Sequence, residues 1–230
     1  IIFTTILFIP VFISNNLGSD WDSYALIGTY LNYTELGVYV PSRPPGFPVY
    51  ELLIGIIINI TSSLSFISFE QGLLIFQFLT LITLNTLIYK FFQRNHENNI
   101  LCFLIIVFSP IYLISGLSVI DYFLGSLLGF CSLYIAVYKS GLKYKSFLIV
   151  FLLSLSIGVR LSNLIFLIAV VLFLSLRYGD YRQAFFLAVL TFIFTSFLYL
   201  PFYRNLYSFY VNSGVYNSIN EMACVINLTN

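Results

Sequence analysis

SNNLGSDWDSYALIGTYLNYTELGVYVPSRPPGFP, residues 14–48, is the one long polar stretch in a chain that is otherwise nearly continuous apolar sequence. Of the nine acidic and ten basic side chains it holds Asp20, Asp22, Glu35 and Arg43, together with the only Trp and four of the seven prolines. The 230 residues are 60% hydrophobic and 8% charged, with a mean hydropathy of +0.96. A soluble domain carries roughly 25% charged residues. So little charge cannot cover so much apolar surface in water, and the composition points to a bilayer as solvent. The expected fold is therefore all-α: a single polytopic transmembrane bundle over residues 1–230. In it the first span ends at residue 13, the stretch 14–66 forms a long outer loop with juxtamembrane helices, spans fill 67–200, and 201–230 form an outer segment.

Working outward from the loop, residues 20–33 predict a short helix, with Ser19 as N-cap and Tyr24, Ala25, Ile27 and Leu31 on an apolar face. Gly37 ends it, and PSRPP breaks any further helix. Pro48 suits the first position of the next helix, over 49–60. Twelve residues rise only about 18 Å against a hydrocarbon core of about 30 Å, so this helix is expected to lie in the interface. Apolar spans are expected at 71–90, 100–117, 120–138, 146–158, 161–176 and 184–200. The connections carrying Lys90 and Arg94, Lys139, Lys143 and Lys145, and Arg177 and Arg182 then all fall on one side, which the positive-inside rule makes cytoplasmic. Asp20, Asp22, Arg43, Asp121, Arg160 and Arg204 fall on the other. The chain opens within an apolar run with no Met or basic leader, which predicts a piece of a longer protein.

The outer set combines carboxylates with arginines beside a membrane surface. A carboxylate can take a proton from an acceptor hydroxyl or amine, and arginine's planar fork suits phosphate oxygens. Such a pair fits transfer of a group from a phosphorylated lipid carrier. Asp121 also suits the positive end of the helix that follows it, and Arg160 could equally reach for phospholipid headgroups. Asp20-Trp21-Asp22 is a D-x-D triplet able to hold a divalent cation, though none is required by the pattern. The separated cysteines Cys102, Cys131 and Cys224 suggest neither a disulfide framework nor a zinc site. His96 lies in a polar connection with no Ser or Asp partner for a hydrolase triad, and the net charge of +1 gives no case for nucleic acid.

SDWDSYALIGTYL followed by SRPPGFPVYELL resembles the first extracytoplasmic loop of GT-C membrane glycosyltransferases, in the branch of the protein O-mannosyltransferases and the lipid A aminoarabinose transferase. Asp20, Tyr24 and Ala25 keep that branch's acid-x-x-x-Tyr-Ala spacing. Arg43 matches its basic residue before the proline turn Pro44-Pro45-Gly46-Phe47-Pro48. FSPIYLISGLSVIDYFLGSLL, GVRLSN and LPFYRN resemble its later outer turns. The resemblance implies sugar transfer on the extracytoplasmic face of a plasma (inner) membrane, from a polyprenyl-phosphate-linked donor to a glycan, lipid or protein acceptor. It implies Asp20 as base, with Asp22 as the alternative because Trp21 stands where many members have Glu. It implies Arg43, Tyr24, Asp121, Arg160 and Arg204 at the donor, and no obligate cofactor. A transporter or flippase of a lipid-linked sugar and a non-catalytic protein of the same fold are the competing readings.

Overall fold

The computed structural model describes residues 9–13, 17, 21–36, 42, 47–64, 66–94, 99–138, 144–179 and 181–212, the last twelve by backbone only. Among the described residues every regular element is helical. The helices are α1 (Trp21–Leu36), α2 (Pro48–Ser62), α3 (Phe69–Gln93), α4 (Asn99–Val107), α5 (Pro110–Leu117), α6 (Tyr122–Tyr138), α7 (Lys145–Val159), α8 (Leu164–Tyr178) and α9 (Tyr181–Asn212). A 3-10 turn, Leu161–Asn163, joins α7 to α8, and residues 9–13 are also helical. Two helical segments, Phe69–Gln93 and Tyr181–Leu200, are long and apolar enough to cross a membrane. The apolar helices Pro48–Ser62, Tyr122–Tyr138 and Lys145–Val159 and the segment Leu161–Arg177 are shorter.

Local chemistry explains where several elements begin and end. Pro48 opens α2, where its fixed φ suits the first turn and its missing N–H costs nothing. Ser68 Oγ accepts the Gln71 N–H while the Gln71 side chain accepts the Ser68 N–H, so α3 starts on a reciprocal cap. Gly179, at φ 66°, takes the left-handed residue that closes α8.

One expectation is corrected. The single span at 100–117 is two helices, Asn99–Val107 and Pro110–Leu117. Pro110 lacks an N–H to continue the first helix and disfavours helical geometry at Ser109, whose hydroxyl instead accepts the Tyr112 N–H and starts a new one. Past residue 200 the helix α9 runs on through Pro201 to Asn212. The helix expected at 20–33 runs Trp21–Leu36, and the short one at 49–60 runs Pro48–Ser62. The Ser19 cap, Gly37 stop and His96 connection lie outside the described residues.

Helix α6 packs most extensively on α7, and these two with α3, α8 and α9 form the body of the bundle. Helix α1 packs on α2, and α2 on α3 and α7. One core runs through both parts: Leu26 and Ile27 from α1, Tyr50, Ile54 and Ile58 from α2, Leu73 and Leu74 from α3, and Val119, Leu124 and Val159 from the bundle. The loop helix is thus bonded to the bundle by buried apolar surface. Gly55 lets the Tyr30 ring come close to α2, and Tyr30 donates a hydrogen bond to Asn59.

Specific contacts also sort the bundle's two ends. At one end the Arg94 guanidinium stacks on Tyr134 and Tyr138, Lys145 Nζ donates to Ala136 O at 2.8 Å, and Gln183 donates to Ser146. Lys145 is partly desolvated there, which lowers its pKa. Asp121 and Arg160 stand at the opposite ends of α6 and α7.

Candidate functional site

The site is built where α7 stops. Arg160 is extended (φ −160°, ψ 126°), which breaks the helix after Val159. The last turn of α7 leaves carbonyls without helical partners. Ser156 O, which takes the Arg160 N–H at 3.1 Å as the last helical bond, also accepts Asn163 Nδ2 at 2.9 Å. Ser156 Oγ in turn donates to Gly125 O on α6 at 2.6 Å. A Cβ at Gly125 would collide with the Asn163 amide, so only glycine lets this turn press against α6. The GVRLSN turn is thereby clamped beside the start of α6, where Asp121 lies.

Arg160 Nη1 sits 3.2 Å from both carboxylate oxygens of Asp121. The Asp121 side chain is 1% exposed and that of Arg160 is 21% exposed. An unpaired carboxylate at that depth would be driven strongly against folding, so the cation is required where it is. Arg160 Nε donates to Ser162 Oγ at 3.0 Å, and its guanidinium carbon lies 3.8 Å from the centroid of the Tyr122 ring. Carboxylate, hydroxyl and ring together fix the plane of the fork. Among the described residues no hydrogen bond is made by its Nη2 edge, and the side chain keeps 21% of its surface exposed.

Both ends of the polar loop reach this pair. Before the loop helix, Leu17 O accepts the Val119 N–H at 2.8 Å, two residues from Asp121. After the proline turn, the Phe47 ring lies 5.9 Å from the Arg160 guanidinium carbon. Ser42 is held by its N–H and its hydroxyl on Glu51 Oε1, at 2.9 and 2.6 Å. Glu51, a carboxylate within the apolar α2, thereby anchors the returning loop. Tyr50, fully buried one turn into α2, lies near Asp121, and burial with that negative charge raises its phenol pKa.

Beside the pair, a groove of about 880 Å³ runs between α3, α4, α5, α6 and α8. Tyr122 and Ser118 line it near Asp121; Ser109, Tyr112 and Ser115 place hydroxyls along the α5 wall, and Phe123 is among its apolar lining. The break at Pro110 presents this wall.

Of the residues singled out in the sequence, Asp121 and Arg160 are brought into contact. Tyr24 is half exposed on α1 and makes no hydrogen bond or ring contact with them. Asp22 lies in the first turn of α1 and Arg204 in α9, both known here by backbone position. Asp20 and Arg43, and with Asp20 the D-x-D pair as a unit, lie outside the described residues. Tyr122, Ser162 and the groove were missed. Tyr122 follows Asp121 directly, and an aromatic beside a paired acid at a helix start is the only local signal that pointed to it. No family model, curated protein or solved structure matches the chain.

Proposed function

We propose that this chain is a membrane glycosyltransferase of the GT-C type, multi-pass in the plasma membrane. It moves a sugar from a polyprenyl-phosphate donor to an acceptor on the extracytoplasmic face. The observation that carries the reading is the convergence of both ends of the polar loop on the Asp121–Arg160 pair: Leu17 through Val119, and Phe47 through Arg160. Asp20 follows Leu17 by three residues and Arg43 precedes Phe47 by four. In this reading the uncommitted edge of Arg160 takes a phosphate oxygen of the donor, with Arg43 as the second cation, and the adjoining groove takes the first units of the apolar carrier. A pocket of several hundred cubic ångströms is ordinary for such a ligand. Asp20, with Asp22 as the alternative, removes the proton from the acceptor nucleophile as it attacks the anomeric carbon, and the carrier phosphate leaves toward the arginines.

Exposed apolar faces support the membrane part of the reading. Ile165, Ile168, Leu172 and Leu176 form a stripe along α8, and Phe185, Val189, Phe192 and Phe197 lie outward on α9. In water such patches would drive aggregation; against lipid they need no cover. The gathering of Arg94, Lys145 and Arg182 at the end away from Asp121 agrees with a cytoplasmic face there.

The test is transfer of labelled sugar from polyprenyl-phosphate donors in membranes carrying Asp20→Asn or Asp22→Asn. Loss of at least a hundredfold in one variant is expected, in line with removal of a general base. Full activity in both sinks the assignment.

A further inference from the structure

The end of the bundle away from Asp121 gathers positive charge. Seven of the ten basic residues fall within 90–98, 139–145 and 177–182, with only Glu97 and Asp180 against them. Exposed tyrosines stand beside these charges: Tyr89, Tyr144 and Tyr181. Tyrosine on the surface of an apolar bundle marks the boundary between hydrocarbon and water. Exposed phenylalanines, Phe147 and Phe185, follow about one turn further along α7 and α9. Lys145 is engaged with Ala136 O, a last-turn carbonyl of α6, and offsets the negative end of that helix. Arg94 is held differently.

Arg94 is the residue that closes α3, and its side chain is exposed. Its guanidinium carbon lies 5.5 Å from the centroid of the Tyr134 ring and 5.2 Å from that of Tyr138. These rings stand one turn apart on α6, with centroids 5.0 Å apart and planes tilted by 52°, and form a bracket for the cation. Phe91 meets Tyr138 and Phe130 edge-on at 5.8 and 5.1 Å, which holds the last turn of α3 against α6. Cation–π attraction needs no oxygen acceptor, so the N–H donors of the guanidinium stay available. Among the described residues Arg94 makes no hydrogen bond and no ion pair. We infer that Arg94 in its tyrosine bracket binds the phosphodiester of an anionic phospholipid at the membrane surface. The inference rests on the membrane setting of the proposed function and not on sugar transfer. A guanidinium fork offers a phosphate two parallel hydrogen bonds. The rings already hold that fork, so less side-chain freedom is lost on binding. A headgroup with net negative charge also gains from the surrounding positive excess, whereas a choline headgroup brings its own cation into the same field.

Dioleoylphosphatidylglycerol is the probe, with dioleoylphosphatidylcholine as the control. Each is titrated into the intact protein in detergent micelles, and bound lipid is counted by native mass spectrometry. The anionic lipid is expected to bind more tightly, and Arg94→Gln to weaken it about tenfold, the scale of a hydrogen bond to a charged group. Arg94→Lys keeps the charge at an exposed position but not the fork, and should still lose affinity severalfold. Arg177→Gln, an exposed cation at the same end, should change it less than twofold. Equal binding of the two lipids, wild-type affinity in Arg94→Gln or Arg94→Lys, or an equal loss in Arg177→Gln would each overturn the site. The last result would leave only diffuse attraction. Inorganic phosphate that displaces the lipid at equal concentration would make free phosphate the ligand and overturn the lipid assignment. Protein recovered in the soluble fraction of broken cells would remove the membrane setting itself. Membrane-bound protein that gives any of the other overturning results loses this site alone.

Discussion

Arg160 pairs with Asp121 and, in the proposed function, also binds the donor phosphate, and the two roles make opposite demands on substitution. As the cation of a buried pair it holds Asp121, so Arg160→Gln alone strands a carboxylate in the core. It is expected to cost about 3–5 kcal/mol of stability. Arg160→Gln with Asp121→Asn should recover most of that loss, and thermal unfolding of the two variants in the same detergent checks it. As a phosphate ligand, by contrast, Arg160 is not restored by the second change. Stability that recovers while donor binding does not would separate the two roles. Gly125 belongs to the same scale. Any Cβ there meets the Asn163 amide, so Gly125→Ala is expected to push the GVRLSN turn off α6 and cost about 1–3 kcal/mol. Unfolding at the wild-type temperature would show that the turn is not clamped as described.

At the scale of elements, the loop helix and the broken helix matter most. Helix α1 is held on α2 by Tyr30 lying over Gly55 and bonding to Asn59. Gly55→Leu should lift α1 away while leaving the bundle intact, seen as faster protease cleavage within 14–48 with little change in the unfolding midpoint. Cleavage at the wild-type rate would show that α1 is held by other contacts. The break between α4 and α5 was written in the sequence by Ser109-Pro110, yet the apolar run around it masked the signal. Periodicity counts apolar residues and is blind to one missing N–H. The reach of α9 past Pro201 was equally hard to read, because the polar residues after it suggested an end that its backbone does not make.

For the whole molecule, the two ends of the bundle carry different charge. In the proposed function the end with Arg94 and Lys145 faces the cytoplasm. In a background without the native cysteines, Asn98→Cys is expected to react with membrane-impermeant maleimide only after the membrane is opened, and Ser63→Cys without opening it. The reverse pattern would invert the arrangement and remove Arg160 from the extracytoplasmic face.

The helical, strongly apolar character of this protein and its one long polar stretch were legible from the sequence alone. Those properties depend on composition and on spacing within single segments, which solvent and helix geometry act upon locally. Asp121 and Arg160 could each be picked out as charges at apolar segment ends. Their meeting, 39 residues apart, could not, nor could the place of Tyr50 and Tyr122 around them. That was decided by tertiary packing: Gly125 admitting Asn163, Ser156 reaching the α6 backbone, and the core shared by α2 and the bundle. Contacts of that kind rest on shape and depth, which a linear pattern of residue types does not carry.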